Sequence, residues 1–273
     1  MKPKGCIHSD RLSKLLQRYC FAYTATHVFS VADQIMADDY TFYMGEHAFI
    51  GRETAYKPAA DRQFKAYPGL GFTVHDFFSN GDRCAVFFSE HGHSIQYDAD
   101  CAWRGASLYR WNGELMTECR IEQDYYGRRR QLVTNIPDPI DQPAYSPWAA
   151  PVEAADSSSE KLVSCWLKDG RLLKSRIGSL DDERGAPSIA RVLFTDENTE
   201  VLDIMSAGKR VAFQVRIDGT YMGGLSELDG HEGVRVALYA TGMADIENEN
   251  VSSVKSVTDR YTIERRILTA TKK

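Results

Sequence analysis

Apolar side chains recur at helical spacing from the beginning of the chain. Leu12, Leu15, Leu16, Tyr19, Cys20 and Tyr23 form one stripe, and Val28, Val31, Ala32, Ile35 and Met36 form a second. A third, weaker helix is predicted over 53–66, with Pro58 near its first turns and Pro68 just past its end. The pattern then changes to strands at 72–78, 83–93, 101–111 and 114–124. The turn Ser79-Asn80-Gly81-Asp82 separates the first two. Asn112-Gly113, a hairpin signal because both residues tolerate positive φ, separates the last two. Helices followed by a meander of antiparallel strands is an α+β order, not a βαβ one.

A proline-dense stretch follows. Five of the nine prolines (Pro137, Pro139, Pro143, Pro147 and Pro151) fall within 133–159, which excludes helix and central strand and predicts an extended linker. Beyond it the first pattern returns in shortened form. Ser157 and Glu160 make a capping box for a helix through Leu167 that Gly170 would end. Ser206-Ala207-Gly208-Lys209-Arg210 stands where Ser79-Asn80-Gly81-Asp82-Arg83 stood, and strands are predicted at 211–217, 234–239 and 251–259. Laid together, the two tails place Asp124 on Asp259, Tyr126 on Tyr261 and Arg130 on Arg265, which reads as an internal duplication.

Composition narrows the class. A 43% apolar share is that of a globular protein, and a net charge of −5 argues against nucleic acid. No run of 18 apolar residues is present to span a membrane, and the first twenty residues lack a secretory apolar run, so a cytoplasmic location is expected. Cys6, Cys20, Cys84, Cys101, Cys119 and Cys165 are scattered, with no CxxC pair, and are read as small buried hydrophobes. Before residue 133 there are ten Tyr, ten Phe and two Trp, against four, two and two after it; six of the seven histidines also precede it. An aromatic lining with a few polar groups suits a flat ligand, which points the site to the first half. No P-loop, Rossmann fingerprint or Gly-x-Ser-x-Gly elbow is present, so no cofactor is implied.

Several short motifs then align in order. Gly51-Arg52-Glu53, followed by Ala66-Tyr67-Pro68-Gly69-Leu70, is similar to the glycine–acid step and aromatic-Pro-Asp-Leu stretch of the nuclear-transport-factor-2-like superfamily in its SnoaL-like branch, with Gly69 in place of the usual Asp. Asn80 to Val86 resembles that family's Gly-Asp strand entry. Asn112-Gly113-Glu114-Leu115, Asp124 and Gln131-Leu132 resemble its closing pattern. The resemblance implies a cone-shaped, bent antiparallel sheet wrapped around N-terminal helices, an α+β barrel in two tandem copies. The boundaries are 8–132 for the domain with the pocket, 133–159 for the linker and 160–273 for a shortened second copy. Members often dimerise through their sheets, so the tandem copies would form a pseudo-dimer within the chain, with a further homo-oligomer left open.

The resemblance also implies acid/base chemistry without a cofactor: dehydration, aldol-type cyclisation or its reverse, including deformylation, on a hydrophobic aromatic or polycyclic small molecule. Asp124 matches the family's acid/base position; on an extended strand it shares a face with Glu118, Arg120 and Glu122. His93 is the second proton-handling candidate by approximate position, with His91 two residues before it on the same face. Asp33 on the second helix is the third. Tyr19, Tyr23, Tyr43, His47, His91, Tyr97, Trp103 and Tyr126 are expected to shape the pocket. Asp38 and Asp39 are read as capping and loop-solvating residues, and Arg128-Arg129-Arg130 as a solvated run at a strand end. Two rivals stand beside this reading: a non-catalytic binding or assembly module of the same fold, and a metal enzyme built on His91 and His93.

Overall fold

A computed structural model of the chain describes residues 11–175, 177–180 and 192–270. Cys6 and the outermost residues of both predicted domains lie outside them. The first apolar stripe forms helix α1 (Arg11–Arg18), which runs into a π-helical turn (Tyr19–Thr24). Helix α2 (Phe29–Ile35) follows. The segment with Asp38, Asp39 and Tyr40 is not a capped loop. It is strand β1 (Met36–Met44), which turns back through β2 (His47–Ile50). A π-turn (Arg52–Tyr56) leads into α3 (Lys57–Ala66), where Pro58 sits in the first turn and needs no amide donor.

Strands β3 (Gly71–Ser79), β4 (Arg83–Ser94), β5 (Ala99–Trp111) and β6 (Met116–Gln123) complete a six-stranded sheet in the order β2-β1-β6-β5-β4-β3. The four-strand meander is antiparallel as its turns demand. β1, however, joins β6 in parallel, so the sheet is mixed. At the Asn112-Gly113 hairpin only Gly113 takes a positive φ, +92°; the Asn112 side chain accepts the amides of Glu114 and Leu115.

Alternation along each strand sorts residues to two faces. The concave face holds Val86 and Phe88 from β4, Trp103 and Tyr109 from β5, and Cys119 and Ile121 from β6, and packs against α1 and α2. Gly105 leaves room there: a Cβ would stand 2.2 Å from the Phe88 ring. The convex face holds Ala85, Phe87, Ala106 and Leu108, all buried, and these meet Met205, Ala212, Met243 and Val257 of the second half.

After β6 the chain forms helix α4 (Tyr125–Thr134), so the three arginines lie on a helix and not at a strand end. Each is engaged: Arg128 on aromatic rings, Arg129 on Glu264 and Arg130 on Asp138. Between α4 and residue 157 the proline-dense stretch carries neither α-helix nor strand, only a 3-10 turn at Pro147–Ala149, and it is not free. The Ala144 and Glu153 amides bond to Val74 and Ser79, and Trp148 packs on Phe77, so the stretch covers the exposed edge at β3.

The second half begins with α5 (Ser157–Lys168). Its N-cap is Asp156, not Ser157; Glu160 instead accepts the Ser206 amide at 2.9 Å. A short α6 (Arg171–Lys174) precedes β7 (Gly178–Leu180), β8 (Phe194–Ala207), β9 (Arg210–Tyr221), β10 (Arg235–Glu247), β11 (Asn250–Thr258) and α7 (Arg260–Ala270). This sheet runs β7-β11-β10-β9-β8, with β7 parallel to β11 as β1 is to β6, and it too ends in a helix. Among the described residues no helix is long and apolar enough to cross a membrane.

Candidate functional site

Between α3, the π-turn after α1 and the concave face lies a cavity of about 200 Å³. Phe42, Met44, Phe49, Phe64 and Ile121 give it apolar walls, and Arg62, which is exposed, stands at the solvent side. Helix α3 enters the lining through Ala59, Ala60, Gln63 and Phe64, the i, i+1, i+4, i+5 set of one helical face. Small residues at 59 and 60 leave the space that larger ones would fill.

Glu90 is the ionisable acid in the lining. It follows Val86 and Phe88 on the inward parity of β4 and is only 4% exposed. Gln63 Nε2 donates to Glu90 Oε2 at 2.6 Å, and the Tyr125 hydroxyl donates to Gln63 Oε1 at 3.3 Å. Trp103 Nε1 donates to Gln123 Oε1 at 3.4 Å beside them. Burial pushes the Glu90 carboxyl up to about 7; the Arg128 charge and the polar contacts of Gln63, Gln123 and Trp103 offset only part of that. Arg128 does not reach the carboxylate directly. Its guanidinium lies 4.0 Å over the Tyr125 ring and 4.8 Å over that of Trp103. On the opposite side the Tyr56 hydroxyl donates to that of Tyr19 at 3.2 Å, and burial raises both phenols well above their ordinary value, keeping them protonated donors. Thr24 Oγ1 is buried in the lining with no hydrogen-bond partner among the described residues.

Of the residues expected from sequence, the structure brings Tyr19 to the cavity. Tyr23 and Trp103 stand directly behind its wall: the Tyr23 ring is 5.7 Å from Tyr19, and Trp103 holds Gln123. The others lie elsewhere. His91 and His93 share the outward parity of β4; His91 contacts Thr73 at 3.2 Å, and His93 is exposed between Asp98 and Asp100. Asp124 sits just past β6 as the N-cap of α4, accepting the Gly127 amide at 2.8 Å and an Arg260 bond at 2.8 Å. Asp33 pairs at the surface with Arg52 at 3.2 Å and with Lys57. Tyr43 faces the convex side beneath Arg120, 4.2 Å from its ring. His47 is exposed on β2, Tyr97 is exposed in the β4–β5 loop, and Tyr126 reaches Glu227 of the second half. Among the described residues no group of three His, Cys, Asp or Glu side chains is placed to hold a metal.

Glu90, Gln63, Gln123, Tyr56 and Tyr125 were not singled out by sequence reasoning. A signal for Glu90 existed: in Val86-Phe87-Phe88-Ser89-Glu90-His91, the acid shares its face with Val86 and Phe88, the more apolar of the two alternating sets.

No curated protein matches the chain significantly. Solved structures of similar shape include a ketosteroid-isomerase-like protein of Catenulispora acidiphila in complex with trimethylamine, 19% identical over 44% of this chain and 92% of that one, TM-score 0.40. Another is a SnoaL-like candidate polyketide cyclase from a Jannaschia species, 16% identical over 50% and 97% of the two chains, TM-score 0.40. A third is IdmH of Streptomyces antibioticus, a candidate polyketide cyclase, 16% identical over 45% and 99%, TM-score 0.41. The model of the SnoaL-like domain matches residues 16–119, which takes in α2, α3 and β1 to β5.

Proposed function

We propose that the chain is a cofactor-independent enzyme of the cyclase/isomerase kind, in which Glu90 moves a proton on a small, largely apolar substrate held in the cavity of the first half. The observation that carries this is a buried carboxyl at the wall of an open cavity, pushed up to about 7 with neutral hydrogen-bond partners. Such a group exists in both forms near neutral pH. It can take a proton from carbon beside a carbonyl and return it to a neighbouring atom. The phenols of Tyr19 and Tyr56, kept protonated by burial, are the donors for an oxygen that gains charge.

Size restricts the substrate. An apolar cavity of roughly 150 Å³ accepts benzene, so about 200 Å³ suits one substituted ring better than a polycycle. The polycyclic part of the sequence expectation is therefore not carried forward, and the catalytic role moves from Asp124, His93 and Asp33 to Glu90. The two halves, with like strand order and facing sheets, are read as tandem copies that form within one chain the sheet-to-sheet pair.

The test needs no knowledge of the natural substrate. One-ring ketones are incubated with the protein in deuterium oxide, and exchange of their acidic C–H groups is followed by NMR. Exchange is expected to accelerate for those that bind and to fall to background in Glu90→Gln. Binding without exchange would favour a non-catalytic binding module; exchange that persists in the variant would remove Glu90 from the mechanism.

A further inference from the structure

Helix α4 stands between the two halves. Its first residue, Tyr125, lines the cavity and donates to Gln63, which in turn holds Glu90. The residues on either side of Tyr125 turn to the second half. Asp124 accepts from Arg260, and the Tyr126 hydroxyl bonds to Glu227 while its ring lies 4.8 Å from the Arg260 guanidinium. One turn later Arg129 pairs with Glu264 of α7. Arg260 is 1% exposed and is the first residue of α7, so its own position is fixed by packing.

We propose that Arg260 is a positioning residue for the cavity in the other half of the chain: by holding Asp124 and bracing Tyr126 it fixes the first turn of α4, and so sets where Tyr125 and the Gln63–Glu90 pair stand. The proposal rests on the reading of Glu90 as the working group. The Asp124 carboxylate serves two clients, the Gly127 amide that starts α4 and the Arg260 guanidinium, so the start of the helix and the contact between halves share one side chain. The preceding amide, Asp124 N, bonds to Arg104 O on β5, which ties the same point to the sheet. Tyr125 is left no independent freedom: its neighbours on both sides are anchored outside the cavity. Arg128, which stacks on Tyr125 and Trp103, moves with the same turn. The second half thereby contributes to the site without placing a side chain in it.

The test uses the full chain and two readouts. The first is the titration of Glu90, followed by carboxyl infrared bands and identified by its loss in Glu90→Gln. The second is the affinity of p-fluorophenol, a one-ring probe, followed by fluorine NMR. The double variant Asp124→Asn with Arg260→Met keeps an N-cap acceptor and removes both members of the Asp124–Arg260 ion pair. It is expected to melt near the wild type, to bind the probe roughly threefold more weakly or worse, and to lower the Glu90 midpoint by about half a unit or more as water reaches a loosened wall. Lys255→Met, which breaks an ion pair to Asp76 at the sheet-to-sheet contact and leaves α4 untouched, is expected to change neither readout. If the double variant does not fold, Asp124→Asn alone is the comparison and should shift both readouts in the same direction. A folded variant with the wild-type midpoint and affinity overturns the proposal, as does an equal shift in Lys255→Met. If Glu90→Gln abolishes no titration near neutrality, the reading of the cavity itself fails, and that result is distinct from the other two.

Discussion

Replacing Glu90 with Gln tests the site through stability, independently of any substrate. The change keeps the shape of the side chain and removes its charge, leaving Gln63 with an amide partner. In the folded protein the Glu90 carboxyl is raised from 4.5 to about 7, chiefly by burial. The folded state therefore holds the proton more tightly than the unfolded chain. The stability this confers is fully present below about pH 4.5 and is lost as pH rises through 7. A displacement of that size corresponds to about 3 kcal/mol, at about 1.36 kcal/mol per pH unit. Glu90→Gln has no such loss. Relative to wild type it should gain about 3 kcal/mol between pH 4 and pH 8, which for a chain of this length is roughly 5 to 10 °C in Tm. Glu122 and Asp259 are also raised by burial and give both proteins the same trend, so they cancel in the difference. Thermal melts of both proteins at matched ionic strength, repeated in steps of pH, give the answer. A gap in Tm that stays constant with pH would refute the placement of a raised carboxyl at Glu90, and the proposed chemistry with it.

Three further outcomes follow from the same geometry. Ala60→Phe should fill the cavity from α3, abolishing p-fluorophenol binding by NMR while leaving the melting point within about 2 °C, because the new ring enters existing space. His93→Ala should change neither probe binding nor Tm by a measurable amount, since that imidazole is exposed and faces away from the cavity. Asp203→Asn should destabilise by roughly 3 to 5 kcal/mol in urea melts, because Arg83, Arg110 and Arg120 of the first sheet all converge on that carboxylate, which is 6% exposed, and would lose their counter-charge.

The four strands of the meander were legible because their pattern is local: apolar alternation bounded by Gly-containing turns. β1 was not. Asp38 and Asp39 interrupt its apolar pattern, and it is held as a strand by parallel pairing to β6, more than seventy residues away. β8 escaped for a related reason: bulges between Thr195 and Asn198 and between Val201 and Asp203 break the alternation, so its faces cannot be read from spacing. The helix after each last strand was invisible in the first half, where Arg128-Arg129-Arg130 looked like a solvated run. Parity sets the two histidines apart from the cavity. Histidines draw attention on chemical grounds, yet His91 and His93 belong to the outward set of β4, and the acid between the apolar residues and the His-x-His pair is the one turned inward. Of the row expected on one strand face, Glu118, Arg120 and Glu122 lie on β6, while Asp124 falls past its end as the N-cap of α4. A second sheet covers that face.

That second sheet explains why charge alone is a poor guide here. The convex face of the first sheet carries acids and arginines at depth, and nearly all are matched across the seam: Asp76 with Arg210 and Lys255, Asp203 with Arg83, Arg110 and Arg120, Asp124 with Arg260. These are groups that bind the two halves together. Among the described residues Glu90, Glu122 and Asp259 are acids raised by burial whose hydrogen-bond donors are neutral. Glu122 accepts from the Gly45 amide at 2.9 Å and from Gln214 at 3.2 Å, within the seam and outside the cavity lining. Among the described residues that line the cavity, Glu90 is the acid, and it meets a neutral donor there. Desolvation at that point is costly to the fold. A group kept at that cost, next to room for one ring and two protonated phenols, is where proton transfer is least hindered by a competing ion pair.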